Sequence, residues 1–294
     1  MNEVCRICMR AKKHSGLCQR RVDNDGELLR CVGKWTRDKH FYLESYINIF
    51  THGMRKKWRN LNYIELFAGP GRCVIRLEDQ LIDGSPLVAL KSKVPFTGYY
   101  FVEMEATSKK ALEARCLAMS RSADCHFYSG DCNSLVYDLK NDLPGESLDL
   151  AFIDPTGVHI SFSTLEHLSE GRKTDLVITF PLDMDIKRNI KQDAKLDSDT
   201  RIDRFMGARD WRDIVDAYET RKIPSMDRPL IDYYKGRLKS IGYYISSGDD
   251  IHIKNPSNNV PLYHVIFASR HIRGIEFWKK SCTAKKPGQL SISY

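Results

Sequence analysis

The chain has 294 residues, of which 42% are hydrophobic and 29% are charged, as in an ordinary globular protein. No apolar run approaches the ~20 residues of a membrane span. The N-terminus lacks the apolar stretch of a secretory signal, so a cytoplasmic location is expected. The formal charge of +8 favours a polyanionic partner such as nucleic acid, although 38 acidic side chains accompany the 46 basic ones.

A long helix is predicted after residue 35, because Thr36 can cap it and apolar side chains recur at three-to-four spacing as far as Phe50. Short apolar strands then alternate with helical patterns, which predicts a parallel sheet covered on both faces. The predicted strands are Tyr63–Phe67, Tyr99–Val102, Cys125–Tyr128, Leu148–Ile153 and Leu176–Phe180. The predicted helices between them are Ser85–Lys93, Thr107–Ala118, Asn133–Leu139 and Phe162–Leu168.

The C-terminal part of the chain follows a different pattern. A helix is predicted at Leu230–Ser240, and strands at Tyr243–Ser246 and Leu262–Ala268 are expected to pair as an antiparallel hairpin. The predicted fold class is therefore α/β, with a mostly parallel, Rossmann-like sheet of the class I methyltransferase kind. Residues 35–294 are assigned to this domain, and residues 1–34 to a small Cys-rich module.

A turn rich in glycine follows the first predicted strand, at the edge of the sheet where ligands of such folds bind. The strand contains Glu65 and Phe67 and runs into Gly69 and Gly71, whose lack of a Cβ lets the backbone approach a ligand closely. The third glycine of the dinucleotide fingerprint is missing. A pyrophosphate, and with it a nicotinamide oxidoreductase, is therefore disfavoured.

Acidic residues follow the next two predicted strands. Glu103 can accept both hydroxyls of a ribose, and Asp131 can accept an adenine amine, although each alone is also explained as a cap or turn residue. Glu103 lies further from the glycine turn than in dinucleotide folds, and an insertion at Cys73–Pro95 accounts for the excess. Together these features predict an adenosyl pocket for S-adenosylmethionine. The predicted cofactor-binding residues are Glu65, Phe67, Gly69, Gly71, Glu103 and Asp131.

Several segments of the chain resemble the three-Cys-motif partner family, from about Trp35 to the C-terminus. They are YIELFAGPGR, GSPLVAL, FVEME, GDCN, FIDPTG and the ending FWKKSCTAKKPGQLSI. The resemblance implies a methyltransferase-like fold and a functional link to a radical-SAM-like neighbour protein, which carries the three cysteines of the family name. It implies no settled substrate.

Asp154 and Pro155 follow the fourth predicted strand in the sequence Asp-Pro-Thr-Gly. In base amino-methyltransferases, an Asp-Pro-Pro-aromatic loop holds an exocyclic amine while the aromatic ring stacks on the extruded base. This chain lacks the second proline and the aromatic residue, so Phe162 or His159 is a candidate for the stacking plane. The catalytic assignment is Asp154 with Pro155, and the competing explanation is that Asp154 only shapes its loop and caps a helix.

Two further predicted strands carry residues of interest. Phe180 and Pro181 end the fifth strand and are a candidate wall of the pocket. His264 lies in an apolar strand, where a histidine is more often a hydrogen-bonded core residue than a catalytic one.

Four of the nine cysteines lie within the first 31 residues. Cys5 and Cys8 form a chelating pair, and Cys18 and Cys31 fall opposite one another if the chain forms a hairpin about its Asp-Asn-Asp-Gly turn. A structural zinc ion bound by all four thiolates is predicted. His14 in place of Cys31 gives a rival ligand set resembling a zinc knuckle, and the same cysteines are also compatible with free thiols or with an iron–sulfur cluster.

Two functions of different classes remain open on the sequence. The first is an S-adenosylmethionine-dependent methyltransferase that acts on nucleic acid, RNA ahead of DNA, at a base amine. The basic residues around the cysteines favour this hypothesis. The second is a methyltransferase-like protein that serves a radical-SAM-like partner without turnover of its own.

Overall fold

Short runs of buried apolar residues form most of the strands of the protein. The computed structural model describes residues 22–76, 78, 80–120, 124–246 and 250–284. The strands are β1 (Arg30–Val32), β2 (Leu61–Glu65), β3 (Arg72–Ile75), β4 (Gln80–Asp83), β5 (Gly98–Glu103), β6 (Cys125–Ser129), β7 (Leu148–Ile153), β8 (Lys173–Phe180), β9 (Tyr244–Ile245), β10 (Ile251–Lys254) and β11 (Pro261–Ser269).

The helices cover both faces of the central sheet. They are α1 (Thr36–Met54), α2 (Ser85–Leu90), α3 (Ala106–Ala118), α4 (Cys132–Asp142), α5 (Phe162–Ser169), α6 (Lys187–Asp193), α7 (Arg201–Met206), α8 (Arg212–Glu219), α9 (Asp227–Ser240) and α10 (Ile272–Cys282). A π-helical turn, Leu182–Ile186, joins β8 to α6.

The central sheet has the strand order β6-β5-β2-β7-β8-β11-β10, with β9 paired to β11. The strands from β6 to β8 are parallel, and β11 runs antiparallel to β8 and β10. The predicted α/β class with a mostly parallel sheet and an antiparallel C-terminal edge is therefore confirmed. The chain moves outward from β2 to β6 and then returns to β7, so the strand order reverses between β2 and β7. In such sheets a ligand binds at the carboxyl ends beside this reversal.

Alternate side chains of the central strands enter two apolar layers. Ile64 packs on one face among residues of α4, α5, α7 and α9. Tyr63 packs on the other face among residues of α1, α2, α3 and α10. This division explains why the parallel strands read as continuous apolar runs, because both of their faces are buried.

The C-terminal hairpin differs from its prediction. The two expected strands do pair antiparallel, with Ala268 opposite Ile245, but β10 lies between them in the chain and forms the closer hairpin with β11. The turn residues around β10 hid a strand whose inward side chains are Ile251 and Ile253. The expectation that Thr36 caps α1 is also wrong, because Trp35 already has helical dihedral angles and occupies the cap position.

The segment that contains the expected insertion contributes β3 and β4 to a second, three-stranded sheet. Within it β3 and β4 form a hairpin, and β1 pairs with β3 in parallel. In the turn before β1, Val22 pairs with Leu28. This pairing is shifted by one residue from the register that would set Cys18 opposite Cys31. Cys5, Cys8, His14 and Cys18 lie outside the described residues, so the zinc site and the boundary at residue 34 remain predictions.

Arg115 of α3 ties the turn before β1 to the glycine turn after β2. Its side chain is only 5% exposed and donates to the carbonyl oxygens of Leu28 at 2.8 Å and Pro70 at 2.6 Å. It also bonds to the Asp25 carboxylate at 2.9 Å. One guanidinium thus organises two turns that are far apart in the chain.

No helix among the described residues has both the length and the apolar character that a membrane span needs.

Replacing Arg115 should destabilise the fold through these turns. Arg115→Met keeps most of the side-chain volume but leaves the Leu28 and Pro70 carbonyl groups without their donor. We expect the free energy of unfolding to fall by about 2–4 kcal/mol. Arg204→Met is the control, because Arg204 is half exposed in a surface pair with Asp199, and its effect should stay within about 0.5 kcal/mol. Urea unfolding of both variants tests this, and equal effects would contradict it.

Candidate functional site

The glycine turn after β2 has the backbone that its sequence predicts. Gly69 and Gly71 have φ angles of +65° and +82°, which are unfavourable for other residues. A Cβ on Gly71 would lie 2.8 Å from Leu112, and one on Gly69 would lie 3.3 Å from the Arg30 guanidinium. Both positions therefore favour glycine for conformation, and Gly71 is also tightly packed against Leu112.

Glu103, at the end of β5, points at this turn. Its Oε2 accepts the Gly69 N–H at 2.7 Å, and its Oε1 accepts the Glu105 N–H at 2.9 Å. The structure thus brings together the glycine turn and the acidic residue that the sequence assigned to a ribose. These backbone bonds fix where the carboxylate sits.

Asp131 follows β6 and caps α4. Its Oδ1 accepts the backbone N–H of Asn133 at 2.9 Å and the side-chain amide of the same residue at 2.9 Å. The preceding Gly130 donates its N–H to the Glu103 carbonyl at 3.1 Å, so Asp131 lies at the same edge of the sheet. The side chain of Asp131 therefore acts as a helix cap. It does not line the cavity at the carboxyl ends of β2 and β7.

Glu65 and Phe67 take different positions. Glu65 is fully buried, and its carboxyl oxygens accept bonds from Tyr63, at 3.0 Å, and from Ser85. Burial raises the pKa of Glu65 well above its usual value, against the lowering effect of these two bonds. Phe67 lines the cavity described below, whereas Glu65 does not.

A cavity of about 210 Å³ opens at the carboxyl ends of β2 and β7. The glycine turn, the Asp154 loop, the start of α1 and strand β1 all contribute to its wall. Its lining includes Arg30, Cys31, Trp35, Lys39, His40, Phe67, Gly69, Gly71, Arg76, Asp154, Pro155, Thr156, Pro181, Met184 and Tyr263. Cys31, a predicted zinc ligand, therefore lies in β1 at the cavity wall.

An ion pair between Lys39 and Asp154 crosses this cavity. The Lys39 ammonium bonds to Oδ2 of Asp154, and Thr179 donates to Oδ1 at 2.6 Å. Burial raises the pKa of Asp154, but the Lys39 charge and the two hydrogen bonds outweigh it, so the net pKa lies below the usual value. Asp154 is therefore an anchored carboxylate, with both oxygens engaged.

Three cationic side chains, Arg30, Lys39 and Arg76, line the cavity together with this one carboxylate. His40 adds no charge, because burial and the adjacent Lys39 lower the pKa of its imidazole to about 3. The site thus has a net positive charge and suits a ligand that carries a carboxylate or a phosphate.

The sequence patterns did not indicate the cationic side of the site. Lys39 lies between Thr36 and Leu43 on the buried face of α1. Its spacing from these two residues was the sequence signal that this lysine is buried. Arg30 carried no such signal, because it reaches the site only through the pairing of β1 with β3.

The loop after Asp154 does not provide the expected aromatic plane. Phe162 is 1% exposed and packs edge-on against Tyr234, so it cannot stack on a substrate. His159 is exposed but does not line the cavity, and a Cβ at Gly157 would lie 2.3 Å from the Asp185 carboxylate. Of the expected Phe180-Pro181 wall, Pro181 lines the cavity, whereas Phe180 is buried in the core.

No family model matches the chain, and no curated protein matches it. Among solved structures, the chain is similar to protein LPL1258 from Legionella pneumophila, with a TM-score of 0.45 and 13% identity over 85% of this chain and 91% of that one. It is also similar to the O-methyltransferase TomG of Streptomyces achromogenes in complex with SAM, with a TM-score of 0.43 and 10% identity over 79% and 80%. For M. jannaschii TYW2 in complex with AdoMet, the TM-score is 0.39 and the identity 11% over 80% and 75%.

Removing the lysine of the ion pair should make stability depend on pH. In Lys39→Met, Asp154 keeps its burial but loses its cation, so its folded pKa should rise above the unfolded value and stability should be lost as the pH rises. We expect a loss of about 2–3 kcal/mol at pH 7 that shrinks towards pH 4.

Urea unfolding at pH 4, 5, 6 and 7 measures this loss. Lys91→Met is the matched control, because Lys91 is 48% exposed in its pair with Asp83, and its cost should stay within about 0.5 kcal/mol. A loss in Lys39→Met that is constant with pH would show that the pair does not set the pKa of Asp154.

Proposed function

We propose that this chain binds S-adenosylmethionine at the β2–β7 cavity and transfers its methyl group. The observation that carries the proposal is the bond from Gly69 to Glu103, which sets a carboxylate beside a glycine turn at the reversal of strand order. Arg30 lines the cavity as a cation for the cofactor's carboxylate. Glu103 does not line the cavity but is bonded to Gly69 at its edge, where it would accept the ribose hydroxyls. The bound cofactor would supply an electrophilic methyl group on a sulfonium.

The chain's own residues would position the acceptor. Asp154 and Pro155 line the same cavity, and the anchored carboxylate can turn one lone pair towards an amine while it stays bonded to Thr179. Lys39 would then act by holding Asp154 as an anion, in the form that accepts a hydrogen bond. Methyl transfer depends mainly on such positioning.

We propose nucleic acid as the acceptor, with RNA ahead of DNA and a base amine as the target. An exposed basic segment, Arg55–Arg59, follows α1, and Lys279 and Lys280 are exposed near the end of α10. Phe277 of α10 lies against Gly53 of α1, so the two basic groups belong to neighbouring helices. Arg55 lies about 24 Å along α1 from Lys39, at 1.5 Å per residue. Phosphates bound there would belong to a part of the nucleic acid remote from the target base.

A second candidate function is a cofactor-binding or inert partner of a radical-SAM-like protein. The observation that favours it is the engagement of both Asp154 oxygens by Lys39 and Thr179, in a loop that lacks a stacking aromatic ring. In this candidate the Lys39–Asp154 pair is structural, and the cavity serves regulation or assembly rather than turnover.

Cofactor affinity tests the site directly. Isothermal titration should detect binding of S-adenosylhomocysteine to the wild-type chain. Glu103→Gln should weaken that binding tenfold or more, because charge-assisted bonds contribute about 1.5–3 kcal/mol. Glu113→Gln is the control, since Glu113 belongs to α3 and pairs with Lys109 rather than with the glycine turn. Equal affinity of the two variants, or no binding by the wild type, would exclude the adenosyl pocket.

Activity separates the two candidate functions. Tritiated S-adenosylmethionine is incubated with the chain and total RNA or DNA from cells that lack the gene. The enzyme hypothesis predicts label in nucleic acid that falls at least 100-fold in Asp154→Ala, because the acceptor loses its positioning group. It predicts unchanged label in Glu113→Gln. Cofactor binding without any transfer would favour the partner function.

A further inference from the structure

Two histidines and an aspartate converge on the sheet edge formed by the C-terminal hairpin. His252 of β10 and His264 of β11 are directly opposed in the register, and their rings stack at a centroid distance of 4.1 Å and an angle of 15°. Asp183 of the π-helical turn completes the group, and one ligand atom from each residue lies within 4.8 Å of the others. None of these residues lines the cavity described above.

The fold fixes this convergence through three separate elements. β11 lies between β8 and β10, and His264 is paired on one side with Phe180 and on the other with His252. The chain leaves β8 immediately after Phe180, and the π-helical turn returns Asp183 over the same edge. The three side chains are therefore brought together by sheet pairing and by a turn, not by neighbouring positions in the sequence.

His264 has an unmet hydrogen-bonding requirement. Its Nδ1 is shielded from solvent and has no hydrogen-bond partner among the described residues, so the expected satisfied core histidine is not observed. A buried nitrogen without a partner costs about 1–3 kcal/mol.

The charges around the group cancel, since three carboxylates, Asp183, Asp227 and Asp250, face three lysines. Lys187 bonds to Oδ1 of Asp183 at 3.0 Å, but it also bonds to Asp227 at 2.9 Å, so its charge is shared between two carboxylates. Asp250 faces the histidines as a further acid, and it is paired with Lys235. Lys254 is the other cation facing His252.

We propose that Asp183, His252 and His264 form a binding site for a divalent transition metal, with Zn²⁺ as the preferred ion. Two imidazoles and one carboxylate are a ligand set that zinc uses when its fourth position is open to water. Ligand atoms around such an ion lie about 3.4 Å apart, for bonds of about 2.0–2.1 Å. The three side chains need only a small closure to reach that spacing, and the exposed His252 leaves a path for the ion.

A metal at this position would link the hairpin to the wall of the β2–β7 cavity. Met184 follows Asp183 in the chain and Tyr263 precedes His264, and both line the cavity. The ion would therefore hold two parts of that wall at a fixed separation. This site is separate from the N-terminal cysteine set and does not depend on its existence.

The test uses the full chain carrying Cys5→Ser and Cys8→Ser, so that the N-terminal thiolates do not dominate metal uptake. The protein is equilibrated with Zn²⁺, dialysed and analysed for metal per chain. One equivalent is expected, and His252→Ala should lose it. Lys254→Ala is the matched control, because Lys254 is exposed on the same face of β10 as His252 and should keep the equivalent.

A second measurement covers the case in which the buried ligands are needed for folding. Added Zn²⁺ should raise the melting temperature of the parent chain and of Lys254→Ala but not that of His252→Ala, whose exposed side chain is dispensable for the core. Co²⁺ in the same chain should show visible absorption without the strong near-ultraviolet band of a thiolate ligand. Absence of bound metal in the parent chain, or equal metal content in His252→Ala, would overturn the proposal.

Discussion

The Lys39–Asp154 ion pair is the interaction on which the arrangement of the site depends. It joins the first turn of α1 to the loop after β7, and it crosses the point where the strand order reverses. Two charges with little exposure, 10% for Lys39 and 22% for Asp154, are tolerated because each neutralises the other. The position of α1, and with it the wall of the cavity, therefore follows from an electrostatic requirement as well as from apolar packing.

The central strands could be predicted because their surroundings are uniform. Leu148–Ile153 has the same bounds in the prediction and in the structure, since a strand covered on both faces carries a continuous apolar run between polar turns. β10 escaped prediction because only Ile251 and Ile253 point inward, among turn residues typical of a loop. The segment from α6 to α8 was not predicted, because it consists of helices of only six to eight residues, whose stability comes mainly from packing.

The residues of the candidate site likewise fall into those that the sequence could predict and those that it could not. Gly69, Glu103 and Asp154 could be predicted, because each follows a recognisable strand and topology alone brings strand ends together. Lys39, Arg30 and the Asp183–His252–His264 group could not, since each reaches its position through contacts between elements distant in the chain. Glu65 was predicted to bind the cofactor, but its carboxyl oxygens are bonded to Tyr63 and Ser85 and it does not line the cavity.

The short strand β1 has a consequence for access to the interior. Only three residue pairs join it to β3, yet it forms the outer boundary above the glycine turn and carries Arg30. Separating so few pairs costs far less than disturbing the central sheet, because local opening is cheapest where few contacts must break. Movement of this margin would also have to break the bonds from Arg115 to Leu28 and from Arg72 to Asp23, so these two guanidinium groups govern how firmly residues 22–34 are held over the cavity.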